Sequence, residues 1–195
     1  MQELTGTAKL ALRDQLLTGR KHLGLASVGE RARALAEHLL AAPEVRRAAT
    51  VAAYVSVSTE PGTGPLLEGL RAAGKRVILP IVQPDFDLDW AAYDDADGLR
   101  TARMGLLEPT GRRLGVEAIA TADAVLVPGM AVGRDGIRLG KGGGCYDRAL
   151  ARVPVGTFTC VLLNSEEVLD HVPAAPHDRA VTAVATETGI TRFFR

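Results

Sequence analysis

TVAAYVSVSTEPGTGPLLEGLRAAGKRVILPIV, residues 50–82, is the stretch whose pattern decides the fold. Thr50–Val57 is a short apolar run rich in β-branched residues, the mark of a buried strand. Pro65–Ala73 reads as a helix, with proline in its first turn and Gly74 to end it. Arg76–Val82 is the next strand. Strand, helix and strand in this order make one βαβ unit with a right-handed crossover.

The alternation extends both ways. Upstream, Lys9–Arg20 has helical spacing, with Leu10, Leu12, Leu16 and Leu17 offering an apolar face. Ser27-Val28-Gly29-Glu30 fits a capping box that opens a helix running to about Ala42, where Pro43 stops it. Downstream, strands are expected at Asp89–Tyr93, Ala124–Val127, Thr157–Leu163 and Ala180–Thr186, the last of the set. Short helices are expected at Tyr146–Ala151 and Ser165–Leu169. This order predicts a layered α/β domain with a largely parallel, mixed sheet. Ligands in such sheets sit beyond the carboxyl ends of the strands, which points to the loops after Val57, Val127 and Leu163.

Composition narrows the function. The 195 residues read as one domain, and 47% apolar residues can build a substantial core. Lys+Arg and Asp+Glu are both 23, so the formal net charge is zero, which argues against a nucleic-acid or membrane-surface partner. Cys145 and Cys160 lack metal-ligand spacing, as expected for reduced thiols in the cytoplasm. Cys145 is either reactive or a small space-filling residue. Glu3, Lys9, Arg13 and Asp14 stand where a signal peptide would need an apolar core. The longest uncharged run, Val153–Ser165, is too short to span a bilayer.

The chemistry gathers at IRLGKGGGCYD, Ile137–Asp147. Gly140, Gly142, Gly143 and Gly144 let backbone N–H groups approach a ligand closely. With Arg138 and Lys141 they compose an anion site, most naturally for phosphate, to which the following helix adds its N-terminal dipole. Three further clusters each leave two readings open. Glu60, in the turn STEPGTG, either bonds a donor-rich ring edge or is a solvated turn residue. Lys9 and Arg13, one helical turn apart, either reach a polyphosphate or pair with nearby acids. Asp178, with Asp147, either holds Mg²⁺ or is a turn aspartate, and its neighbour His177 is an acid–base candidate or an exposed loop residue.

Taken in order, these segments resemble the 5-formyltetrahydrofolate cyclo-ligase family over nearly the whole chain. The segments are Lys9-x-x-x-Arg13, YVSVSTE (residues 54–60), GKRVILP (residues 74–80), GLLEP (residues 105–109), VPGMAVGRDGIRLGKGGGCYDR and HDRAVTAVATETG. The resemblance implies a compact three-layer α/β/α domain. It implies that Lys9, Arg13 and the run Arg138, Leu139, Gly140, Lys141, Gly142, Gly143, Gly144, Cys145, Tyr146 contact ATP. Val55 and Glu60 would hold the pterin, bordered by Lys141 through Cys145, and Asp147 and Asp178 would bind Mg²⁺. The substrate would be 5-formyltetrahydrofolate, with or without a polyglutamate tail, and the chain a monomer. Arg100, Arg103, Arg112 and Arg113 either meet such a tail or are solvated. Three departures stand out: Cys145 replaces the first of a tyrosine pair, Val132–Gly133 replaces a Phe-Asp, and Lys141 and Gly143 fill variable positions. Tyr54, Trp90, Tyr93 and Tyr146 remain as stacking candidates.

The implied reaction forms 5,10-methenyltetrahydrofolate, ADP and phosphate. The formyl oxygen attacks the γ-phosphorus, the resulting imidoyl phosphate is closed by the second folate nitrogen, and phosphate leaves. No Ser–His–Asp set is evident, so positioning and charge neutralisation by Arg138, Lys141 and their neighbours carry the catalysis. Rival readings are an ATP-independent sugar-phosphate isomerase or transferase, a relative acting on another amide-bearing cofactor, and a phosphometabolite-binding sensor.

Overall fold

The computed structural model describes residues 2–193. Three helices come first: α1 (Gln2–Lys21), α2 (Leu25–Ala41) and α3 (Pro43–Arg47). Strand β1 (Thr50–Ala52), helix α4 (Gly64–Ala72) and strand β2 (Arg76–Val82) form the expected βαβ unit, and β3 (Leu88–Tyr93) turns back beside β2. A small hairpin follows, β4 (Leu99–Thr101) with β5 (Leu107–Pro109). Next come β6 (Ala124–Pro128), a second small hairpin of β7 (Ala131–Val132) and β8 (Arg138–Leu139), and helix α5 (Cys145–Leu150). Strands β9 (Phe158–Leu162), β10 (Ala183–Thr186) and β11 (Gly189–Arg192) complete the chain.

One seven-stranded sheet runs in the order β11-β10-β9-β6-β1-β2-β3. Its five inner strands are parallel, and the two edges, β11 and β3, are antiparallel. Successive residues of the inner strands alternate between two cores, as a pleat of period two requires. Val51, Val77, Leu79, Leu126 and Leu162 face Leu35, Leu39, Val45, Leu66 and Leu70 of α2, α3 and α4. Ala52, Ile78, Val125, Val127 and Val161 face the other way, against Ile119, Ala149 and Leu150. Both faces are covered, which is why these strands read as unbroken apolar runs. The third layer is thin, being α5 and a 3₁₀ turn at Val116–Thr121.

Helix α1 lies apart from these layers. Leu12 and Leu16 pack on Met130, Leu139 and Val172, a third small core beside the β7–β8 hairpin.

Several boundaries differ from the expected ones for physical reasons. The first strand ends at Ala52 rather than Val57: Ala53 N still donates to Ile78 O, but side chains of the following turn take the donors at the far end of the run. Ser56 N donates to Thr63 Oγ1 (2.9 Å) and Val57 N to Glu60 Oε2 (2.8 Å). Ser27–Glu30 is not a capping box: α2 starts at Leu25 behind Gly24, without a side-chain cap. A capping box does occur, at Asn164 with Glu167, where only a 3₁₀ turn (Ser165–Glu167) forms instead of a helix reaching Leu169. Pro43 ends α2 and also opens α3. The last strand is β11, joined to β10 through the turn before Gly189.

Candidate active site

The strand order reverses between β1 and β6: the chain builds outward from β1 through β2, then returns to β1's other side with β6. Crevices at such switch points bind ligands. Here the STEPGTG loop follows β1, and the glycine loop follows β6 through the small β7–β8 hairpin. Between them lies a cleft of about 610 Å³, within the range of small-molecule sites.

The sequence candidates converge on it. Lys9, Arg13, Val55, Glu60, Arg138, Gly140 through Cys145, Tyr146, Asp147 and Asp178 all line the cleft. Leu139 is set apart: its side chain is buried in the small core with Met130, Ala131 and Val172. Its backbone pairs with Ala131 in the β7–β8 hairpin, and its carbonyl accepts from Met130 N at 2.7 Å.

The glycine loop needs its glycines for two distinct reasons. Gly142 (φ +106°) and Gly144 (φ +67°) sit in left-handed backbone that side chains rarely adopt. At Gly140 a Cβ would come 2.8 Å from Nη1 of the buried Arg138, and the Arg13 guanidinium lies over Gly142. Arg13 Nε donates to Gly140 O at 2.8 Å, so α1 and the loop are tied together. On the far side, Arg148 Nη2 donates to Gly143 O (2.9 Å) and to Phe86 O (2.8 Å), clipping the loop to the β2–β3 turn. Helix α5 begins at Cys145, a residue earlier than expected.

Ion pairs organise the charges. Lys9 Nζ meets Asp178 Oδ2 at 2.5 Å, and Ala175 N donates to the same oxygen. Arg138 Nη2 donates to Asp147 Oδ1 at 3.2 Å, and Arg179 N also donates to that oxygen. The Arg179 N–H bond sets Asp147 beside the segment that carries Asp178, and both aspartates line the cleft. Lys141 Nζ reaches across to Glu60 Oε1 at 2.7 Å, joining the glycine loop to the β1 loop. Arg138 Nε has no partner although buried, and its guanidinium carbon sits 5.8 Å from the Tyr146 ring centre. His177 is mostly exposed, with Nε2 3.8 Å from Asp178 Oδ1.

Burial pushes the Tyr146 phenol far above its ordinary range and raises the Cys145 thiol. Cys145 is therefore held as a thiol, a packing residue rather than a thiolate nucleophile. Of the stacking candidates, Tyr54 and Tyr146 line the cleft. Trp90 is in the core, and Tyr93 borders a separate surface depression with Glu68 and Arg71. Val132 is also in the core and Gly133 is in a turn, so that departure from the family pattern lies off the cleft wall.

Other cleft residues had no role in the sequence reading. Phe86 (φ +65°) and Met104 (φ +59°) line the mouth in backbone that is uncommon for non-glycine residues, a feature that concentrates at functional sites. Glu108, within the quoted GLLEP segment, turns a buried carboxylate to the cleft. Its signal was a charge flanked by apolar residues in a strand. Arg113 pairs with Asp89 at 3.2 Å, whereas Arg100, Arg103 and Arg112 are exposed.

A sequence profile of the 5-formyltetrahydrofolate cyclo-ligase family matches residues 5–187. The chain belongs to this family. A cyclo-ligase of Mycolicibacterium smegmatis is 42% identical over 142 residues, spanning 70% of this chain and 73% of that protein. The Escherichia coli K12 cyclo-ligase is 32% identical over 164 residues, 80% and 87% of the two chains. The solved 5,10-methenyltetrahydrofolate synthetase of Aquifex aeolicus superposes with a TM-score of 0.82 at 28% identity, covering 96% of this chain and 93% of its own. That of Mycoplasma pneumoniae, at 21% identity and a TM-score of 0.73, shares the fold. Among the described residues, no helix of this cyclo-ligase family member is long and apolar enough to cross a membrane.

Proposed function

We propose that this chain is an ATP- and Mg²⁺-dependent 5-formyltetrahydrofolate cyclo-ligase that forms 5,10-methenyltetrahydrofolate, ADP and phosphate, acting as a monomer in the cytoplasm. The observation that carries this reading is the meeting of Lys9, Arg13, Arg138 and Lys141 with the glycine loop on one wall of a cleft that also holds Glu60. Four cations and a run of exposed backbone amides suit a triphosphate. The carboxylate beyond them suits the donor edge of a pterin.

The residues at the cleft fit both ATP and Mg²⁺. No cluster of three or more His, Cys, Asp or Glu able to hold a metal occurs among the described residues. Asp147 and Asp178 offer hard oxygen donors at the phosphate end, and Mg²⁺ typically takes only one or two carboxylates beside phosphate oxygens and waters. When bound, ATP supplies the phosphoryl group that turns the formyl oxygen into a leaving group, and Mg²⁺ offsets the charge of its phosphates.

The chain's own work is to bind and to orient. Lys9 and Arg13 on α1 close over the glycine loop, and Arg138 and Lys141 stand where charge shifts during transfer. The unpartnered Nε of Arg138 is a donor already desolvated and held in place, so it needs little reorganisation to act. Glu60 fixes the ring, and the apolar wall beyond it excludes water.

The test mixes purified protein with 5-formyltetrahydrofolate, ATP and Mg²⁺ and follows methenyl absorbance, leaving out each component in turn. Absorbance should rise only in the complete mixture. A rise without ATP, or none in the complete mixture, overturns the reading.

A further inference from the structure

Six charged side chains are buried among the described residues: Arg20, Glu60, Asp89, Glu108, Arg138 and Glu167. Five have an opposite charge within an ion pair: Arg20 with Glu167, Arg138 with Asp147, Asp89 with Arg113, and Glu60 with Lys141. Glu108 alone has none. It is 6% exposed, and its one protein partner is Val82 N, which donates to Oε1 at 2.9 Å. Arg100 stands opposite it in the β4–β5 ladder but is exposed and makes no ion pair with it. A buried carboxylate without a counter-charge is costly, and proteins keep few of them without a use.

Its surroundings say what that use is. Glu108 lines the cleft together with the apolar side chains of Pro80, Val82, Leu88, Leu106 and Leu107. It sits at the turn end of the β2–β3 hairpin, where Val82 pairs with Leu88, and the turn residue Phe86 is tied to Gly143 of the glycine loop through Arg148. The lone carboxylate and the phosphate cradle thus flank one apolar space.

Resting on the function proposed above, the charge balance of the reaction supplies the missing partner. The formyl oxygen bonds to the γ-phosphorus as the bond from that phosphorus to ADP breaks, and the same oxygen later leaves carbon as part of the phosphate. The second folate nitrogen bonds to the formyl carbon, and its proton departs with the phosphate. The folate core passes from a neutral formamide to an amidinium cation. We propose that Glu108 is the counter-charge for that cation, a catalytic carboxylate whose cleft-facing oxygen stabilises the closing ring. An anion fixed in an apolar wall acts more strongly there than it would in water.

Glu108→Gln keeps an oxygen for Val82 N–H and removes only the charge. Three quantities are read: kcat and KM for methenyl formation, the Kd of 5-formyltetrahydrofolate and of 5,10-methenyltetrahydrofolate, and the melting temperature. The expected result is a kcat at least tenfold lower, a methenyl Kd at least tenfold higher, a formyl Kd within threefold and a melting temperature no lower than that of wild type. Active wild type with equal loss of both ligands, or with unchanged methenyl binding, overturns the assignment of Glu108 alone. Wild type that forms no methenyl product overturns the cyclo-ligase reading and this one with it. If Glu108→Gln does not fold, Glu108→Asp against Glu108→Asn gives the same comparison of charge at constant shape.

Discussion

Arg20 and Arg138 are buried to the same degree, 3% and 4% exposed, and each faces a carboxylate. Arg20 is saturated. Its Nε and Nη2 hold both oxygens of Glu167 at 2.5 and 2.8 Å, Nη2 also donates to Gly129 O, and Nη1 meets the Met130 sulfur at 3.7 Å. Glu167 in turn receives Asn164 N and Nδ2. Arg138 is under-used: one contact to Asp147 at 3.2 Å, one to Pro128 O at 3.3 Å, and an Nε with no partner. The difference separates a charge that holds the fold from one reserved for a ligand. A buried polar group left short of partners asks for an explanation, and a lining position on a cleft provides it.

The sharpest way to break this contrast is at Arg20. Arg20→Ala strands Glu167 and frees the end of α1, so urea unfolding should show a loss of about 3–5 kcal/mol. A loss near zero would mean that saturation has no structural meaning here. Next comes Arg138→Ala, which should cost at least tenfold in turnover while the unfolding midpoint hardly moves. Equal destabilisation by both substitutions would erase the distinction. The smallest effect belongs to a third, more exposed pair, Arg152 with Asp87, at 2.6 and 2.8 Å. Hydrogen bonds from Arg152 hold the Asp87 carboxyl below its ordinary range. A depressed folded pKa gives stability that is present above about pH 4 and lost as pH falls through the folded value. Arg152→Ala should therefore lose about 1 kcal/mol or less at neutral pH and show a flatter acid branch. An acid branch identical to wild type would remove Asp87 from the balance.

The parallel core was legible because Val51 through Leu162 alternate between two apolar layers, so each strand is an apolar run whatever its register. The glycine loop was legible because Gly142 and Gly144 adopt conformations that little else tolerates. What stayed hidden depends on contacts between distant segments. Arg20 ends an amphipathic helix, where an arginine is ordinarily solvated, and nothing local announces Glu167. Tyr54 to Val57 has strand composition, yet Thr63 and Glu60 in the following turn capture the backbone donors of Ser56 and Val57. Leu139 sits inside the motif, but its side chain belongs to a core built with α1. Glu108 was visible only as one letter of a weak segment, since the missing counter-charge is a property of the folded neighbourhood.

The contact between Lys141 and Glu60 acts as a latch across the cleft. On the proposed reading, a pterin that claims Glu60 releases the ammonium toward the triphosphate, so the vitamin half of the site primes the energy half. Thermodynamic reciprocity then obliges the nucleotide to favour the vitamin by the same factor. Beyond the atoms that react, the two ligands would sense each other through a single lysine.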